Sequence, residues 1–566
     1  MGTTQPAASG MSVQQLDSMF KRHFLPFVII AALSPGALFA APNVLLILTD
    51  NQSYHELGCH GHESVKTPHI DALAKESVDF TNFHAPPYCS PSRGLLLTGR
   101  YAMRLGIHNT IGGVSILHRD ERTIADLLSD AGYATGIFGK WHLGMSYPYS
   151  PEHRGFQETF IHGGGGIGQM EDHFGNNHID AKYWHNGEVV QSKGFSSDVL
   201  FARAKDFIAK EQKNPFFCFI STPATHKPWQ AHPEVAERIT ERKGDSKELP
   251  LLSMIENIDD NVGSILKHLD DLNLSKNTLV IFATDQGMTN RGAPENSPAN
   301  PPSKSFDSRH HVFCMMRLPG LTNQPGRNDA LTGMADMAPT VLDLCDIIPP
   351  AKIDGRSLKP LLAGAPRWND DRELIVQCPR GREREKWENA VIKTQRWRLV
   401  GGDKLYDLSE NDSEVSAEYP VVVKKLNDSY NTFWTSLPDP KEILSRHPIG
   451  AADTRLNGMD WYQGGAPWSS GHMGRLSSGI WAIDVDEDGR YRFELRRYPR
   501  GAKKAIKATQ AVLKIGDRSG KAELSKDADH TVIELNLKSG RFDMEASFSD
   551  GENNWGAYFV YVSKIQ

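Results

Sequence analysis

Four continuous apolar runs constrain the fold of this 566-residue chain more than any other feature. They cover 43–49, 133–138, 216–222 and 278–284. Runs of this length and composition are typical of strands that are buried on both faces of a parallel sheet. Apolar residues at helical spacing predict helices between them, over 124–131, 198–210 and 251–272. Strands that alternate with helices predict an α/β fold with a mostly parallel central sheet.

Polar residues follow each of the four predicted strands. In chain order these residues are Asp50 with Asn51, Lys140 with His142, His226, and Asp285 with Gln286. Ligands bind beyond the carboxyl ends of the strands in open α/β sheets. The sequence therefore predicts that these side chains converge on one site.

The pattern of apolar and turn-forming residues changes after the α/β region. Short apolar runs and a helix near 421–434 predict a small α+β subdomain over 366–440. From 441 to 566, short strands alternate with turns rich in Gly, Asp and Asn, which is typical of a β-sandwich. A chain of this length is too long to fold around a single hydrophobic core. We therefore expect an α/β domain over 42–365, followed by these two regions.

The first 41 residues have the composition of a leader and signal peptide. Basic residues at 21–23 precede an apolar run at 24–39 and the small residues Ala40 and Ala41. The alternative, a membrane anchor, is disfavoured because the run is short and holds two prolines. The sequence thus predicts an exported protein, periplasmic or secreted, without a stable membrane anchor.

Charge and cysteine content exclude two broad classes of protein. The formal net charge of -6 provides no basic footprint for nucleic acid. Six cysteines are too few for a disulfide scaffold in a chain of this length.

The stretch "YCSPSRGLLLTGRY" (88–101) places a cysteine on a Pro-bearing turn that opens into a short helix. Ser92 or a neighbour can cap that helix, so that Cys89 faces its positive end, and Arg93 adds a full charge. Together these features predict a stabilised anion at position 89. The same sequence context is equally compatible with a small buried thiol that has only a packing role.

The string Cys89-Ser90-Pro91-Ser92-Arg93, followed by Leu97-Thr98-Gly99-Arg100, resembles the signature of type I sulfatases, a family of the alkaline-phosphatase-like superfamily. The resemblance extends from about 42 to 434 and includes "GKWHLG" (139–144) and "THKP" (225–228), but not the last hundred or so residues. It implies an alkaline-phosphatase-like sandwich and the hydrolysis of sulfate esters. It also implies that a formylglycine-generating maturase converts Cys89 to Cα-formylglycine.

The resemblance assigns a nucleophile and a metal site. One hydroxyl of the hydrated formylglycine would attack sulfur, and the second would then expel sulfate. The implied ligands are Asp50, Asn51, Asp285 and Gln286, whose hard oxygens suit Ca²⁺ or Mg²⁺. Many sulfatases have Asp-Asp and Asp-Asn at these two places, so this chain carries one negative charge fewer. Without the resemblance, Asp50 and Asp285 could simply cap the helices that follow.

The remaining roles also come from the resemblance. Arg93 and Lys140 would hold the anionic formylglycine and the sulfate oxygens. His142 would take the proton from the second hydroxyl. His226 and Lys304 would lie near the leaving oxygen, and either could be the general acid.

The Gly-rich stretch "HGGGGIGQ" (162–169) is not followed by a phosphate-loop lysine, so it is interpreted as a flexible surface loop. Several histidines are candidates for reading the group that bears the sulfate: His55, His162, His173, His178, His185, His310 and His311.

Three functions are compared. The leading hypothesis is a sulfatase that acts on a sulfated carbohydrate or polysaccharide. The second is a phosphodiesterase, phosphonate monoester hydrolase or phosphatase of the same superfold, disfavoured by the complete signature. The third is a non-catalytic sulfoglycan-binding protein, disfavoured by the intact set of site residues. Trp461, Trp468 and Trp481 could stack on glycan, although tryptophans in a sandwich are more often core residues.

Overall fold

A ten-stranded mixed sheet forms the centre of the protein, and its five middle strands run parallel. From one edge to the other the strands are Gly326–Asn328, Val78–Phe80, Cys314–Arg317, Thr278–Thr284, Asn43–Thr49, Phe216–Ser221, Ala134–Lys140, Glu158–His162, Lys182–His185 and Glu188–Gln191. The four strands predicted from sequence are neighbours in this order. The predicted mostly parallel sheet is therefore confirmed at its centre, and antiparallel strands extend both edges.

This computed structural model describes residues 1–2, 41–288, 307–379, 381, 383–410 and 412–565. Lys304 and nearly all of the predicted signal peptide lie outside the described residues. Residues 41–566 form one compact unit, so the domain boundaries at 365 and 440 stay predictions. Within the described residues, no helix has both the length and the apolar character needed to cross a membrane.

The central strands are apolar throughout because each of their faces packs into a different core. Val44, Leu46 and Leu48 belong to one core, while Leu45 and Ile47 belong to the other. Helices pack around the sheets; in the described residues they are Pro68–Glu76, Cys89–Thr98, Ile124–Asp130, Ser196–Glu211, Pro233–Lys243, Leu249–Asp271, Asp307–His310, Met337–Leu344, Lys359–Leu362 and Pro420–Thr435. The three helices predicted between the strands are all present, with no end shifted by more than two residues.

Two smaller sheets lie beside the central one. A three-stranded sheet contains His311–Val312, Phe83–His84 and Thr332–Gly333. A five-stranded antiparallel sheet contains Leu374–Gln377, Ala390–Lys393, Trp397–Val400, Lys404–Asp407 and Ser413–Glu414. The helix Pro420–Thr435 buries Leu426, Tyr430 and Phe433. The short strands and the helix predicted after residue 366 are thus confirmed.

The C-terminal region consists of two sheets around one core, as the sequence predicts. The first contains His447–Ile449, Gly479–Val485, Gly540–Ser549, Gln510–Ile515 and Arg518–Glu523, with Gln463–Gly464 and Asn554–Gly556 paired onto it. The second contains Thr454–Asn457, Phe559–Lys564, Gly489–Arg496 and Thr531–Leu537. Trp461 and Trp481 are buried in this core, whereas Trp468 is 52% exposed.

Candidate active site

The polar residues at the strand ends converge, as predicted. Ligand atoms of Asp50, Cys89 and Asp285 all lie within 4.8 Å of one another, and all three residues are buried. Asp50 and Asp285 directly follow the adjacent strands Asn43–Thr49 and Thr278–Thr284, so the register of two parallel strands places their carboxylates side by side.

Cys89 is the first residue of the helix Cys89–Thr98, which is buried along its whole length. Tyr88 is the N-cap and no side chain caps the helix. The predicted cap by Ser92 is wrong, because its hydroxyl donates to the Pro86 carbonyl at 2.8 Å. The thiol donates to Asp50 Oδ1 at 3.5 Å and accepts from Gln286 Nε2 at 3.2 Å.

The predicted anion at Cys89 is wrong for the unmodified thiol. Burial, together with the nearby Asp50 carboxylate, raises the pKa of Cys89 well above its usual value. The two cations offset this only partly because each is already paired with a carboxylate. An unmodified Cys89 is therefore a neutral thiol and a poor nucleophile.

Arg93 and Lys140 are buried and bind the two acidic residues of the site. Arg93 donates to Asp285 Oδ2 from Nε at 3.0 Å, and its Nη2 lies 2.8 Å from the same oxygen. Its Nη1 donates to the Lys140 carbonyl at 3.1 Å and to Ser221 Oγ at 2.5 Å. Lys140 Nζ donates to Asp50 Oδ2 at 2.6 Å. Two cations thus balance two carboxylates, and the predicted contacts of both cations with sulfate stay predictions.

The pKa values of the two carboxyl groups are shifted in opposite directions. Burial alone would raise the pKa of Asp50, but Lys140, His226 and Arg93 outweigh it and hold that pKa below its usual range. Burial and the negative charge of Asp50 raise the pKa of Asp285. Burial opposes the Lys140 ammonium, yet Asp50 raises the pKa of Lys140 above its ordinary value. Additional positive charge between the two acids would favour ionised Asp285.

The donor set at this point fits a hard divalent cation. Asn51 has a left-handed backbone, with φ 60°, and its Oδ1 lies 3.9 Å from Cys89 Sγ. Gln286 donates an amide hydrogen to that same oxygen, so both amides lie at the carboxylate pair. Rotating the Gln286 amide by half a turn would present its carbonyl oxygen instead. Oxygen ligands of mixed charge suit Ca²⁺ or Mg²⁺.

The two predicted histidines both lie at this site. His142 Nε2 is 3.1 Å from the Thr110 carbonyl, and its buried Nδ1 has no hydrogen-bond partner among the described residues. Burial lowers the pKa of His142 well below its usual value, with help from Lys140. Burial also lowers the pKa of His226, although Asp50 opposes this. Both rings are neutral at pH 7, which fits a proton acceptor at His142.

The Gly-rich stretch 162–169 is not a flexible surface loop: most of it is buried and it packs against both histidines. A Cβ atom on Gly165 would lie 2.2 Å from His142 Cε1, and one on Gly166 would lie 2.8 Å from His226 Nδ1. Only residues without side chains fit so close to two imidazole rings. The sequence signal for this role is a run of four glycines that directly follows a strand ending in His162.

Replacing Gly165 by alanine is expected to lower kcat about 100-fold, because the new methyl group displaces the His142 ring. Overpacking of this kind lowers the free energy of unfolding by about 1–3 kcal/mol. Gly474→Ala is the matched control, because a Cβ atom there meets nothing within 4 Å. Wild-type kcat in Gly165→Ala would show that the ring position does not matter.

The other candidate histidines are held by protein partners. His162 Nδ1 is 3.0 Å from the Gly163 carbonyl, and His178 Nδ1 is 2.8 Å from Ser196 Oγ. His173 stacks on Trp184 with ring centroids 3.8 Å apart, and His185 Nε2 lies 2.6 Å from Glu158. The remaining three have partners too: His55 with His60, His310 with His84, and His311 with Thr81. Their predicted role in reading a sugar gains no support from this geometry.

Buried neutral histidines are expected to make the fold acid-sensitive. Burial lowers the pKa of His162 to about 3 and those of His178 and His447 to about 4, against about 6.5 in an unfolded chain. Below pH 6.5 the unfolded state binds more protons, so stability falls as the pH falls. Each such histidine costs about 1 kcal/mol between pH 7 and 5.5. Thermal unfolding at the two pH values measures this, and an unchanged Tm would contradict it.

The C-terminal region contacts both segments that touch the site histidines. Gly112, two residues after the Thr110 that contacts His142, donates its N–H to the Met459 carbonyl at 2.6 Å. Met170 donates its N–H to the Trp468 carbonyl at 3.3 Å, and its side chain joins the core of the C-terminal sheets.

Glu171 strengthens this junction. Its carboxylate accepts from Asn457 Nδ2 at 2.7 Å, and its carbonyl accepts from Arg455 at 2.8 Å. No sequence pattern predicts these contacts, which join residues more than 280 positions apart.

Comparisons with known proteins agree with this geometry. The family model for sulfatases matches residues 42–347, and the model for the C-terminal part of N-sulphoglucosamine sulphohydrolase matches 305–427. Human N-acetylgalactosamine-6-sulfatase is 32% identical over 366 residues, covering 57% of this chain and 66% of that protein. The ulvan-active sulfatase of Formosa agariphila is 29% identical over 360 residues, covering 59% of this chain and 67% of that protein.

The fold is shared with solved structures at low sequence identity. The crystal structure of Ps i-CgsB has a TM-score of 0.64 at 24% identity, covering 71% of this chain and 94% of that one. The phosphonate monoester hydrolase of Agrobacterium radiobacter has a TM-score of 0.51 at 21% identity, covering 70% of this chain and 96% of that one. These likenesses confirm the predicted alkaline-phosphatase-like fold.

The sulfatase match spans more than half of the chain and contains every predicted site residue. Membership of this family implies a formylglycine and a divalent metal ion. On the matched sequence, the confirmed fold and the convergence of the site residues, the chain belongs to the sulfatase family and is a sulfuric ester hydrolase.

Proposed function

We propose that this protein removes sulfate from sulfated carbohydrates, with formylglycine at position 89 as the nucleophile and Ca²⁺ as the metal ion. The observation that carries the proposal is the buried convergence of Asp50, Cys89 and Asp285 within 4.8 Å. The substrate class is suggested by relatives whose names specify N-acetylgalactosamine 6-sulfate and ulvan.

The Cys89 thiol stands where the formylglycine side chain would be. Because Cys89 starts a helix, its side chain lies at the positive end of the helix dipole, which favours an oxyanion there. Arg93 and Lys140 fix two buried cations beside it, and the attraction of a buried cation for sulfate oxygens is stronger than that of an exposed one. These groups are already in place before substrate binds, because carboxylates and backbone hold them.

A bound divalent cation supplies charge neutralisation for the sulfate oxygens. Asp50, Asn51, Asp285 and Gln286 would hold it. Ca²⁺ is favoured over Mg²⁺ because two amide oxygens and two carboxylates form an irregular set of oxygens, and Ca²⁺ tolerates irregular geometry better. His142 would accept the proton of the second hydroxyl, and His226, which packs against Gly166 of the Gly-rich stretch, would lie near the leaving oxygen as a candidate general acid. Lys304 stays the alternative general acid.

The N-terminal sequence supports export as part of the proposal. A basic segment, an apolar run and small residues precede the first strand, which begins at Asn43. A maturase would then act on the Cys89 segment before this helix is buried, because the folded helix gives no access to the side chain.

Peptide mass spectrometry on protein made together with a maturase tests the nucleophile. Conversion of Cys89 lowers the mass of the tryptic peptide 76–93 by about 18 Da. Sulfate release from sulfated glycans then tests the reaction, with a phosphonate monoester and a phosphodiester as competing substrates. An unmodified thiol in active protein would overturn the mechanism. Preferred cleavage of the phosphorus esters would assign the chain to the second function considered above.

A further inference from the structure

The C-terminal region contacts the Gly-rich stretch that packs against the site histidines. Gln169 Oε1 accepts from the Gly165 N–H at 2.9 Å, and Gly165 packs against the His142 ring. Gln169 also forms a β-bridge with Ser469, and the neighbouring Met170 bonds the Trp468 carbonyl. The backbone of Trp468 is therefore connected to His142 through Met170, Gln169 and Gly165.

Exposed aromatic side chains concentrate at this junction. Trp468 is 52% exposed and Phe174 is 39% exposed. Phe174 lies four residues after Met170 and contacts Tyr498 edge-on, with ring centroids 6.3 Å apart. Lys504 Nζ lies 4.6 Å from the Phe174 centroid and 5.4 Å from that of Tyr498. We call these four residues, Phe174, Trp468, Tyr498 and Lys504, the aromatic rim.

The chemistry of the aromatic rim matches that of a sulfated sugar. The apolar face of a pyranose ring packs on an aromatic ring, and an exposed indole offers the largest such surface. Lys504 provides a cation for a sulfate group on the same chain of sugars. Trp461 and Trp481 are buried and cannot take part, which leaves Trp468 as the accessible member of the three tryptophans considered from the sequence.

We propose that the aromatic rim binds the sugar units next to the one that loses its sulfate, so that the substrate is a sulfated oligosaccharide or polysaccharide. This inference rests on the proposed function and adds the length of the substrate to it. The continuity from His142 through the Gly-rich stretch to Trp468 is the reason to choose a sugar chain over a protein partner as the occupant.

Trp468→Ala tests the inference. The assay measures kcat/KM for neocarrahexaose and for ulvan oligosaccharides, and for 4-methylumbelliferyl sulfate, which has no neighbouring sugar. Loss of one stacking contact is expected to lower the ratio of oligosaccharide to aryl sulfate kcat/KM about 10-fold. Phe174→Ala should lower the same ratio. Ile348→Ala, which removes a 90% exposed side chain elsewhere, is the control and should leave the ratio unchanged.

Each result has a distinct meaning. A ratio that Trp468→Ala leaves unchanged overturns the aromatic rim while the proposed function stands. The aromatic rim is also overturned if the wild-type protein cleaves N-acetylgalactosamine 6-sulfate as efficiently as every oligosaccharide. Wild-type protein that forms a dimer, which Trp468→Ala dissociates, identifies the rim as a contact between copies and overturns the inference too. If matured protein releases no sulfate from any probe, the proposed function fails and the inference fails with it.

Discussion

Cys89→Ser is expected to stop the protein after a single turnover. A serine hydroxyl can attack sulfur from the same position, but serine has no second hydroxyl on that carbon to expel the sulfate. The modified serine should therefore accumulate, and steady turnover should fall by at least about 1,000-fold. The surrounding charges favour the first step in the variant as well, because Arg93 and Lys140 are held by carboxylates and not by the thiol.

Intact mass and steady-state rate together measure this outcome. Incubation with an aryl sulfate should add about 80 Da to the Cys89→Ser variant, a covalent change localised to the peptide that contains position 89. Cys59→Ser is the matched control, since Cys59 is a half-buried cysteine outside the site and should leave turnover unchanged. Steady turnover by Cys89→Ser would show that the second hydroxyl is not needed and would overturn the formylglycine mechanism.

Local pattern was sufficient to predict the sheet and one side of the active site. Continuous apolar runs of this length are typical of strands with two buried faces, and their polar ends meet at the same edge when the strands are parallel. Asp50 and Asp285 illustrate this, because their neighbouring strands are in register from the first residue to the last.

Features that depend on tertiary contacts could not be predicted. The four glycines at 163–166 are compatible with a mobile loop until the rings of His142 and His226 are placed against them. The pairing of Arg93 with Asp285 joins residues 192 positions apart, and no periodicity encodes it. The family resemblance therefore predicts a role for Arg93 in holding sulfate, but it does not predict the ion pair of Arg93 with Asp285.

The contacts of the C-terminal β-rich region with the rest of the protein could not be predicted from the sequence. The family resemblance ends before it, so the sequence treats it as a separate domain. In the structure, Met459, Arg455 and Asn457 contact the two segments that hold the site histidines. The C-terminal sheets thus support the active site through these two segments, and a family signature cannot show this because it covers a different part of the chain.

Asp285→Asn is expected to remove both metal binding and a large share of stability. The variant leaves the Arg93 guanidinium buried without its carboxylate, and breaking a buried pair from one side costs about 3–5 kcal/mol. The neutral amide also removes one of the two anionic metal ligands. Activity should fall at least about 100-fold even in excess Ca²⁺, since the variant loses a metal ligand and the charge partner of Arg93 at once.

Urea unfolding with and without Ca²⁺ separates the two effects. Wild-type protein should be stabilised by Ca²⁺ and lose activity in a chelator, whereas Asp285→Asn should show neither response. Asp329→Asn is the control, because its pair with Arg367 is exposed and should contribute less than about 1 kcal/mol. The double variant Arg93→Leu/Asp285→Leu should regain part of the lost stability without regaining activity, because it removes the unpaired charge but not the need for the site. Ca²⁺-dependent stabilisation of Asp285→Asn equal to that of the wild type would show that Asp285 holds Arg93 and does not ligate the metal.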